Sequence, residues 1–464
     1  MQLMNWHRFV STAARGMFPG GALLLLLAAC GADKPATSAV ERTAVDTDAG
    51  ETLAEDQDTE AKTYLDTVLN PPPLLPNSLE RLSIDCALAT VEDDPGYRTA
   101  AEVDYAQAGW ERRLAADWQH FEAPAEEGWL TVVDFKREPG GLAYRYLAND
   151  NSHDRLYEPW SSSKIMAFTA AVARLRGHGI GADARVGGVA LADLITSVNS
   201  YEPFGGADGN SNAIATYLLN LAGREYATAL FHDEWLGLAN DEVRFRGAYA
   251  TEVFTPPDNE FVSADGKTRH TPPVFAAAAD DPYYLSYRCE QCGTDGNKAM
   301  TALAQTEWLK RLASHDREPA TRHPGLTTAD VETVFFGKHH TDTTQPAGGM
   351  LQGISTILPR ALAVTLAPER ADDPKALLDK LSDGQWRIYQ KLGWGPSETR
   401  GTSELVVLAH VCLPQINGSG REFTLFGRAS VPGADIDEHL VGAAGLKLEA
   451  LFVKSLPALL ATPE

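Results

Sequence analysis

Positive charge is scarce in this sequence, which has 40 Lys and Arg residues against 63 Asp and Glu residues and a formal net charge of −23. Such an acidic surface argues against nucleic acid or anionic lipid as a partner. The apolar run near the N-terminus is also short, because it stops well below the roughly 20 residues that a membrane-spanning helix needs. We therefore expect no nucleic-acid partner and no spanning helix in this first segment.

The first 29 residues have the features of a secretory signal peptide. Arg8 and Arg15 precede a short run of leucines, and small residues lead to Cys30. This junction resembles the bacterial lipobox, in which the cysteine becomes the lipidated first residue of the mature chain. The resemblance implies a periplasmic protein that meets the membrane only through a lipid anchor at Cys30. Gly31, in place of an aspartate, implies the outer membrane.

Cysteine is rare, and four residues remain beyond the lipidation site, namely Cys86, Cys289, Cys292 and Cys412. An oxidising periplasm allows three pairings among them, which the sequence alone does not rank. Cys289 and Cys292 have the spacing of half a zinc ribbon, but no second such pair follows, so a disulfide role is favoured. We expect neither a metal nor an organic cofactor.

The composition predicts an acidic, proline-containing tether over 30–95 and a folded domain over 96–464. Residues 31–60 have almost no aromatic or large apolar side chains, and a proline-rich stretch follows at 70–78, so little surface can be buried there. At the start of the domain, Val103, Trp110 and Trp118 recur at helical spacing, which predicts an N-terminal amphipathic helix.

The pattern of the domain predicts an α/β (α+β) fold. Two extended runs around a Pro-Gly-Gly turn indicate a β-hairpin, and three more such runs lie near the C-terminus before a closing helix. We predict a five-stranded antiparallel sheet with flanking N- and C-terminal helices and an inserted all-helical lobe. The α/β lobe would comprise about 96–160 and 382–464, and the helical lobe about 161–381, with a long irregular insert at 238–297.

A serine and a lysine three residues apart stand at the front of the first predicted helix after the hairpin. Ser161 and Lys164 would share one face of that helix, since positions three apart do so. A serine attacks an acyl carbon when a neighbour removes its proton, and a desolvated lysine, whose pKa is lowered, can serve as that base. The alternative is that the serines merely cap the helix.

From about 101 to 456 the chain resembles the penicillin-recognising serine hydrolases, the superfamily of class A β-lactamases and D,D-peptidases. The likeness rests on the order of elements and on three motifs, S-x-x-K, S-D-N and K-T-G, that converge on one cleft in that family. Ser161 and Lys164 match the first motif. The resemblance implies an acyl-enzyme mechanism with Ser161 as nucleophile and Lys164 as base.

The second motif is matched with one departure in the stretch GNSNAIATYLLNLAG. Asn212 matches the asparagine, Asn210 stands where the family has serine, and Ser211 between them could contribute a hydroxyl. Ser197-Val198-Asn199 fits the formal pattern better, but the helix expected after it is missing, so we rank it second. The residues between the two candidates, SYEPFGGADG, are predicted to line the cleft as an insertion.

Lys391 and Gly393 match the lysine and glycine of the third motif, while Leu392 replaces its hydroxyl residue. The resemblance implies that Lys391 and Asn212 orient the substrate, and a glycine here would let the strand edge lie against it. In the family the hydroxyl helps to hold the carboxylate of β-lactams and D-alanyl peptides. Arg400 is a candidate replacement as a bidentate anion clamp, the alternative being a solvated loop arginine.

The resemblance also implies a base for deacylation, for which Glu252 is the candidate, although no arginine-x-glutamate run marks it. We therefore predict a lipid-anchored periplasmic serine hydrolase with weak or no β-lactam hydrolysis, acting on a small-molecule or peptidoglycan-derived acyl substrate. One alternative is a D,D-peptidase or transpeptidase that acts on peptidoglycan. Another is a catalytically inactive binding protein with the same fold, as the departures at Asn210 and Leu392 would suit.

Overall fold

The computed structural model describes residues 58–461 apart from 80–81, 246, 251, 274–297, 343 and 346. The predicted signal peptide, Cys30, Cys289 and Cys292 lie outside the described residues, as do residues 274–297 of the predicted insert. Within the described part, no helix has the length and apolar character needed to cross a membrane.

Five long antiparallel strands form the main sheet, as the sequence predicts. They are β1 (Trp129–Glu138), β2 (Gly141–Ala148), β3 (Arg387–Ser397), β4 (Thr402–Leu413) and β5 (Arg421–Pro432). Their order across the sheet is β2-β1-β5-β4-β3, so β3 lies at an edge. The two-residue strands Arg98–Thr99 and Ala116–Asp117 both pair with β2, the second of them in parallel, and extend the sheet beyond the predicted five strands.

Helices cover both faces of this sheet. They are α1 (Lys164–Arg176), α2 (Leu191–Ser200), α3 (Ser211–Ala222), α4 (Arg224–Ala229), α5 (Ala302–Ala313), α6 (Thr328–Phe336), α7 (Ile357–Leu366), α8 (Pro374–Ser382) and α9 (Glu438–Leu460). One apolar cluster joins α1 to α6 with one face of the sheet, and a second joins α7, α8 and α9 with the other. The predicted α/β fold with an inserted helical block is therefore confirmed.

The alternation of side chains along β3 decides which residues reach the helical lobe. Ile388 and Leu392 belong to the cluster that contains α9, whereas Tyr389 belongs to the opposite cluster. Lys391 and Gly393 follow Tyr389 at two-residue spacing. They therefore lie on the face of the sheet that looks toward α1.

The predicted end of the helical lobe at 381 needs correction. Leu358 and Leu362 of α7 are completely buried in the cluster that contains Leu448 of α9. The two helices pack on each other because each buries its apolar stripe against the other. Residues 357–382 thus belong with the α/β lobe.

The amphipathic helix predicted near the start of the domain is broken into two short pieces. A single α-helical turn, Ala100–Val103, ends at Asp104, which has a φ of 50°, and a 3-10 turn starts only at Trp110–Arg113. Tertiary hydrogen bonds outweigh the helical pattern here. The indole N–H of Trp110 donates to the Leu236 carbonyl over 2.8 Å.

The predicted tether also needs correction, because the domain begins well before residue 96. Residues 58–64 are α-helical and continue into the π-helical turn Leu65–Leu69, in which Leu65, Val68 and Leu69 are buried in the α9 cluster. A disulfide then joins Cys86 to Cys412 of β4, which settles one of the pairings left open by the sequence. The structure therefore places the part of the tether after residue 58 on the folded body.

Candidate active site

Ser161 lies on a 3-10 turn, Trp160–Ser163, that leads directly into α1. Trp160 has a φ of 49°, in the left-handed region, and so turns the chain sharply just before the serine. Ser162 and Ser163 donate hydrogen bonds to the carbonyls of Pro159 and Trp160, and the N-cap residue Ser163 makes no side-chain capping bond. The interpretation of these serines as helix caps is therefore wrong.

Lys164 is completely buried at the first position of α1. Its Nζ donates to Ser211 Oγ over 2.9 Å and to Asn212 Oδ1 over 2.6 Å. The structure thus brings the first motif to the preferred second-motif stretch. Ser197, the start of the second-ranked stretch, instead donates to the Glu202 carbonyl from within α2.

Asn210 is the N-cap of α3, and its side-chain oxygen accepts from the Ala213 N–H over 3.1 Å. Its Nδ2 donates to Glu252 Oε2, also over 3.1 Å, and Glu252 is exposed. Ser211 Oγ donates to the Val198 carbonyl over 2.8 Å while accepting from Lys164. Asn210 therefore orients the helix start, and Ser211 is the hydroxyl that reaches the lysine.

Gly393 allows β3 to pack directly on the turn that holds the serine. A Cβ at this position would lie 2.6 Å from the Ser162 nitrogen, 2.7 Å from the Pro159 oxygen and 2.9 Å from the Ser161 nitrogen. These distances are far below van der Waals contact. The glycine is thus required by the turn, a reason that the sequence did not indicate. That the strand edge lies against a substrate stays a prediction.

Tyr201, which motif matching missed, lies at the centre of the site. Its ring centroid is 3.8 Å from Lys391 Nζ and 5.2 Å from Lys164 Nζ. Its hydroxyl donates to the Leu392 carbonyl over 3.1 Å and is also hydrogen-bonded to Ser161. Because the single phenolic proton is given to Leu392, the Ser161 hydroxyl is the donor in the second bond.

Two features of the sequence point to Tyr201 in retrospect. It belongs to the SYEPFGGADG stretch that was predicted to line the cleft. It is also the C-cap of α2, with a left-handed φ of 59°, a conformation that is uncommon for a residue other than glycine. No motif of the resembled family marks this position, so spacing alone could not find it.

The two lysines of the site are buried close to one another, and this affects their protonation. Burial, followed by the positive charge of Lys164, holds the pKa of Lys391 well below its ordinary value. Lys391 is completely buried, and its Nζ has no hydrogen-bond partner within the described residues. Burial also raises the pKa of Tyr201, which keeps the phenol neutral. The site therefore favours one neutral amine beside one ammonium group.

Arg400 is not placed to bind a substrate anion, because its guanidinium group pairs with two carboxylates of the protein. Its Nε and Nη2 donate to the carboxylate of Glu404 over 2.7 and 3.0 Å, and it also forms an ion pair with Glu158. Glu158 and Glu404 are both buried. The guanidinium charge is thus paired with Glu404 of β4 and with Glu158, which lies just before the serine turn, and the prediction that Arg400 receives a substrate carboxylate lacks structural support.

Among the residues that the structure describes, no group of three or more His, Cys, Asp or Glu side chains could hold a metal ion. The site consists instead of a serine, two lysines, a tyrosine and an asparagine. These groups suit the transfer of protons to and from an acyl-transfer centre.

No protein-family model and no curated protein matches the sequence. Among solved structures, the chain is similar to the TLA-3 extended-spectrum β-lactamase, with 12% identity, 72% of this chain and 95% of that chain covered, and a TM-score of 0.37. It is also similar to a class A β-lactamase from Mycobacterium abscessus (14% identity, 72% and 95% covered, TM-score 0.35) and to PBP-A (9% identity, 72% and 89% covered, TM-score 0.34).

Proposed function

We propose that this protein is a serine acyl hydrolase, lipid-anchored in the periplasm, in which Ser161 carries the acyl group. The observation that supports this best is the convergence of three distant segments on the stretch from Ser161 to Lys164. Lys164 bonds to Ser211 and Asn212, Gly393 seats β3 against the serine turn, and Tyr201 bonds to Ser161. A purely structural site would not need two completely buried lysines on one tyrosine ring, one of which, Lys391, has no hydrogen-bond partner within the described residues.

In the proposed reaction, Lys164 first passes a proton to the neutral amine of Lys391, and Ser161 Oγ then attacks the acyl carbon and gives its own proton to Lys164. That proton then passes to the leaving group as its bond to carbon breaks. Water attacks the acyl-enzyme in a second step, releasing the acid and returning a proton to Ser161. Tyr201 holds the serine hydroxyl in place, and Ser211 and Asn212 hold the Lys164 amine.

Two backbone amides are suited to stabilise the oxyanion. The first belongs to Ser161, on the turn that Gly393 contacts. The second follows from the geometry of β3, where the Leu392 carbonyl points away from β4 and meets Tyr201. Because alternate residues of an antiparallel strand face the same side, the Trp394 amide lies on that same open edge.

Labelling with a fluorescent fluorophosphonate tests this proposal. We expect the full-length protein to be labelled, the Ser161→Ala variant to be unlabelled, and the neighbouring Ser163→Ala variant to be labelled like wild type. Loss of labelling only at Ser161 supports the nucleophile. A folded wild-type protein that takes no label contradicts the proposal and favours the inactive binding protein.

The rate of deacylation distinguishes a β-lactamase from other serine acyl hydrolases. Glu252, the candidate base, is exposed and bonds to Asn210, which leaves it beside the second motif. We expect slow deacylation and weak or no turnover of nitrocefin. Release of D-alanine from a D-alanyl-D-alanine peptide would instead support the peptidase alternative.

The lipid anchor is a separate part of the proposal, and it rests on the sequence around Cys30. Metabolic labelling with an alkyne fatty acid should modify the wild-type protein in the cell envelope. The Cys30→Ser variant should lose the label and leave the membrane fraction. Membrane retention of an unlabelled variant would contradict lipidation as the mode of attachment.

A further inference from the structure

A substrate carboxylate needs a cation that it can reach, and the positive groups around Ser161 are already engaged. Lys164 is buried and bonded to Ser211 and Asn212. Arg400 is paired with the carboxylates of Glu404 and Glu158. Among these basic side chains, only Lys391 has no hydrogen-bond partner for its side-chain nitrogen within the described residues.

Lys391 is nevertheless covered. The aromatic ring of Tyr201 lies over its amine at 3.8 Å, and the lysine is completely buried. The Tyr201 hydroxyl is fixed at two points, to the Leu392 carbonyl and to Ser161. Both bonds therefore fix the ring over the amine.

The rim beside Tyr201 is acidic. Glu202 follows Tyr201 directly, and the carboxylates of Asp208 and Glu252 accept hydrogen bonds from the backbone and side chain of Asn210 over 2.9 and 3.1 Å. All three acids are exposed. Like charges at a binding site suppress the wrong ligand, so this rim disfavours an anionic substrate.

We infer, on the basis of the proposed acyl transfer to Ser161, that the site takes uncharged acyl compounds such as neutral esters, and that Tyr201 excludes carboxylate-bearing substrates by covering Lys391. The resembled family is expected to bind carboxylates through its third motif. Here, Leu392 lacks the hydroxyl and its side chain belongs to the opposite apolar cluster. The missing hydroxyl at Leu392 and the covered amine of Lys391 thus both favour uncharged substrates.

Benzylpenicillin and its methyl ester provide a matched pair of probes that differ only in the carboxylate. In each, Ser161 Oγ would bond to the lactam carbonyl carbon, the carbon–nitrogen bond would break, and the released nitrogen would take the serine proton. The acylation rate is measured as the loss of fluorophosphonate labelling on the full-length protein. We expect the methyl ester to react about tenfold faster or more, since like-charge repulsion penalises the acid.

Variants of Tyr201 separate its two roles. Tyr201→Ala uncovers Lys391 and should raise the acylation rate with benzylpenicillin, which narrows or reverses the preference for the methyl ester. Tyr201→Phe keeps the ring but removes the two bonds that fix it, so its preference for the ester should lie between those of wild type and Tyr201→Ala. Tyr226→Ala removes another ring that covers a cation, Arg174 at 4.3 Å, outside this site, and should change nothing.

The outcomes distinguish this inference from the proposed function. No fluorophosphonate labelling of folded wild type contradicts the hydrolase itself. Labelling with equal rates for the two probes, or a faster acid, overturns the preference for uncharged substrates while leaving the hydrolase intact. A preference that survives in a folded Tyr201→Ala variant overturns the role of Tyr201, and thermal unfolding of each variant checks that it is folded.

Discussion

The ammonium nitrogen of Lys164 donates to Oδ1 of Asn212 over 2.6 Å and so joins two segments 48 residues apart in sequence. The same nitrogen donates to Ser211. Lys164 therefore depends on the start of α3 for its position. In the proposed reaction Ser161 depends on Lys164 for proton removal, so we expect the two motifs to act as one unit.

Removal of the amine should cost more than removal of one of its partners. We expect Lys164→Ala to slow acylation of Ser161 by at least about 100-fold, the usual contribution of a general base. Asn212→Ala should cost less, because Ser211 still holds the amine. The rate of fluorophosphonate labelling measures both effects. Lys267→Ala is the control, because Lys267 is exposed, and this variant should be labelled at the wild-type rate. A Lys164→Ala variant that is labelled at the wild-type rate would contradict the role of Lys164.

Substitution of Gly393 should disturb the serine turn from the opposite side. Gly393→Ala places a methyl group against the backbone of Pro159, Ser161 and Ser162. We expect a loss of about 1–3 kcal/mol in the free energy of unfolding, the usual cost of overpacking, together with slower acylation. Gly140→Ala is the matched control, because a Cβ there meets no atom within 4 Å. Denaturant unfolding compares the two, and equal stabilities would show that the turn yields easily.

The buried amine of Lys391 should make stability depend on pH. Its pKa is lowered in the folded state, so the unfolded chain binds more protons between that lowered pKa and the ordinary value of about 10.4. Stability should therefore rise with pH across this window and be lowest below it. Each tenfold loss of proton affinity corresponds to about 1.4 kcal/mol.

Lys391→Met removes this dependence while keeping the length of the side chain. We expect the variant to be more stable than wild type at pH 7, with a difference that shrinks toward pH 10. Denaturant unfolding of both proteins at several pH values measures the difference, in which contributions from all other groups cancel. A constant difference, or one that grows with pH, would mean that Lys391 is charged in the folded protein.

The sequence predicted most of the fold because its main elements are local patterns. The β-hairpin, the last three strands and the closing helix each have their own periodicity, and the structure has all of them. The prediction of an N-terminal helix was wrong because hydrogen bonds to distant carbonyls, such as that of Trp110 to Leu236, override the local spacing of apolar residues. The predicted boundary of the tether was wrong because the burial of Leu65 and Leu69 depends on a partner helix, α9, nearly 400 residues later in the sequence.

The candidate site was predictable only where the chemistry lies in a short motif. The spacing of Ser161 and Lys164 identified the first motif, and the helix after Asn212 selected the second. Tyr201 follows no such pattern, because its role comes from the way the C-terminus of α2 lies against β3. The reason for Gly393 was also hidden, since it lies in a contact with a turn more than 200 residues earlier.

The disulfide between Cys86 and Cys412 should stabilise the domain, because it closes a loop with a sequence separation of 326 residues. Restriction of so long a loop in the unfolded chain, together with burial of the bond, is typically worth about 2–5 kcal/mol. We expect Cys86→Ser with Cys412→Ser to lower the free energy of unfolding by that amount. Addition of a thiol reductant should lower the free energy of unfolding of the wild-type protein but not that of the double variant. Equal stability of the two proteins without reductant would contradict this.

Removal of the segment before residue 96 should destabilise the domain, although its composition resembles a tether. Leu65 and Leu69 are almost completely buried against α9, and a Cβ on Gly442 or Gly445 would collide with this segment at Ala61 or with the side chains of Leu69 and Tyr64. Burial of each leucine is worth about 1.5–3 kcal/mol. A chain that starts at 58 should therefore unfold at clearly higher denaturant concentration than one that starts at 96.

The shorter chain also loses Cys86, so the comparison needs a control that separates packing from the disulfide. A chain that starts at 70 keeps Cys86 and removes only the helical segment that contacts α9. We expect its stability to lie between the other two, because it loses the buried leucines alone. If chains that start at 58 and 70 unfold at the same denaturant concentration, the segment contributes nothing and the original boundary of the tether should move to 70.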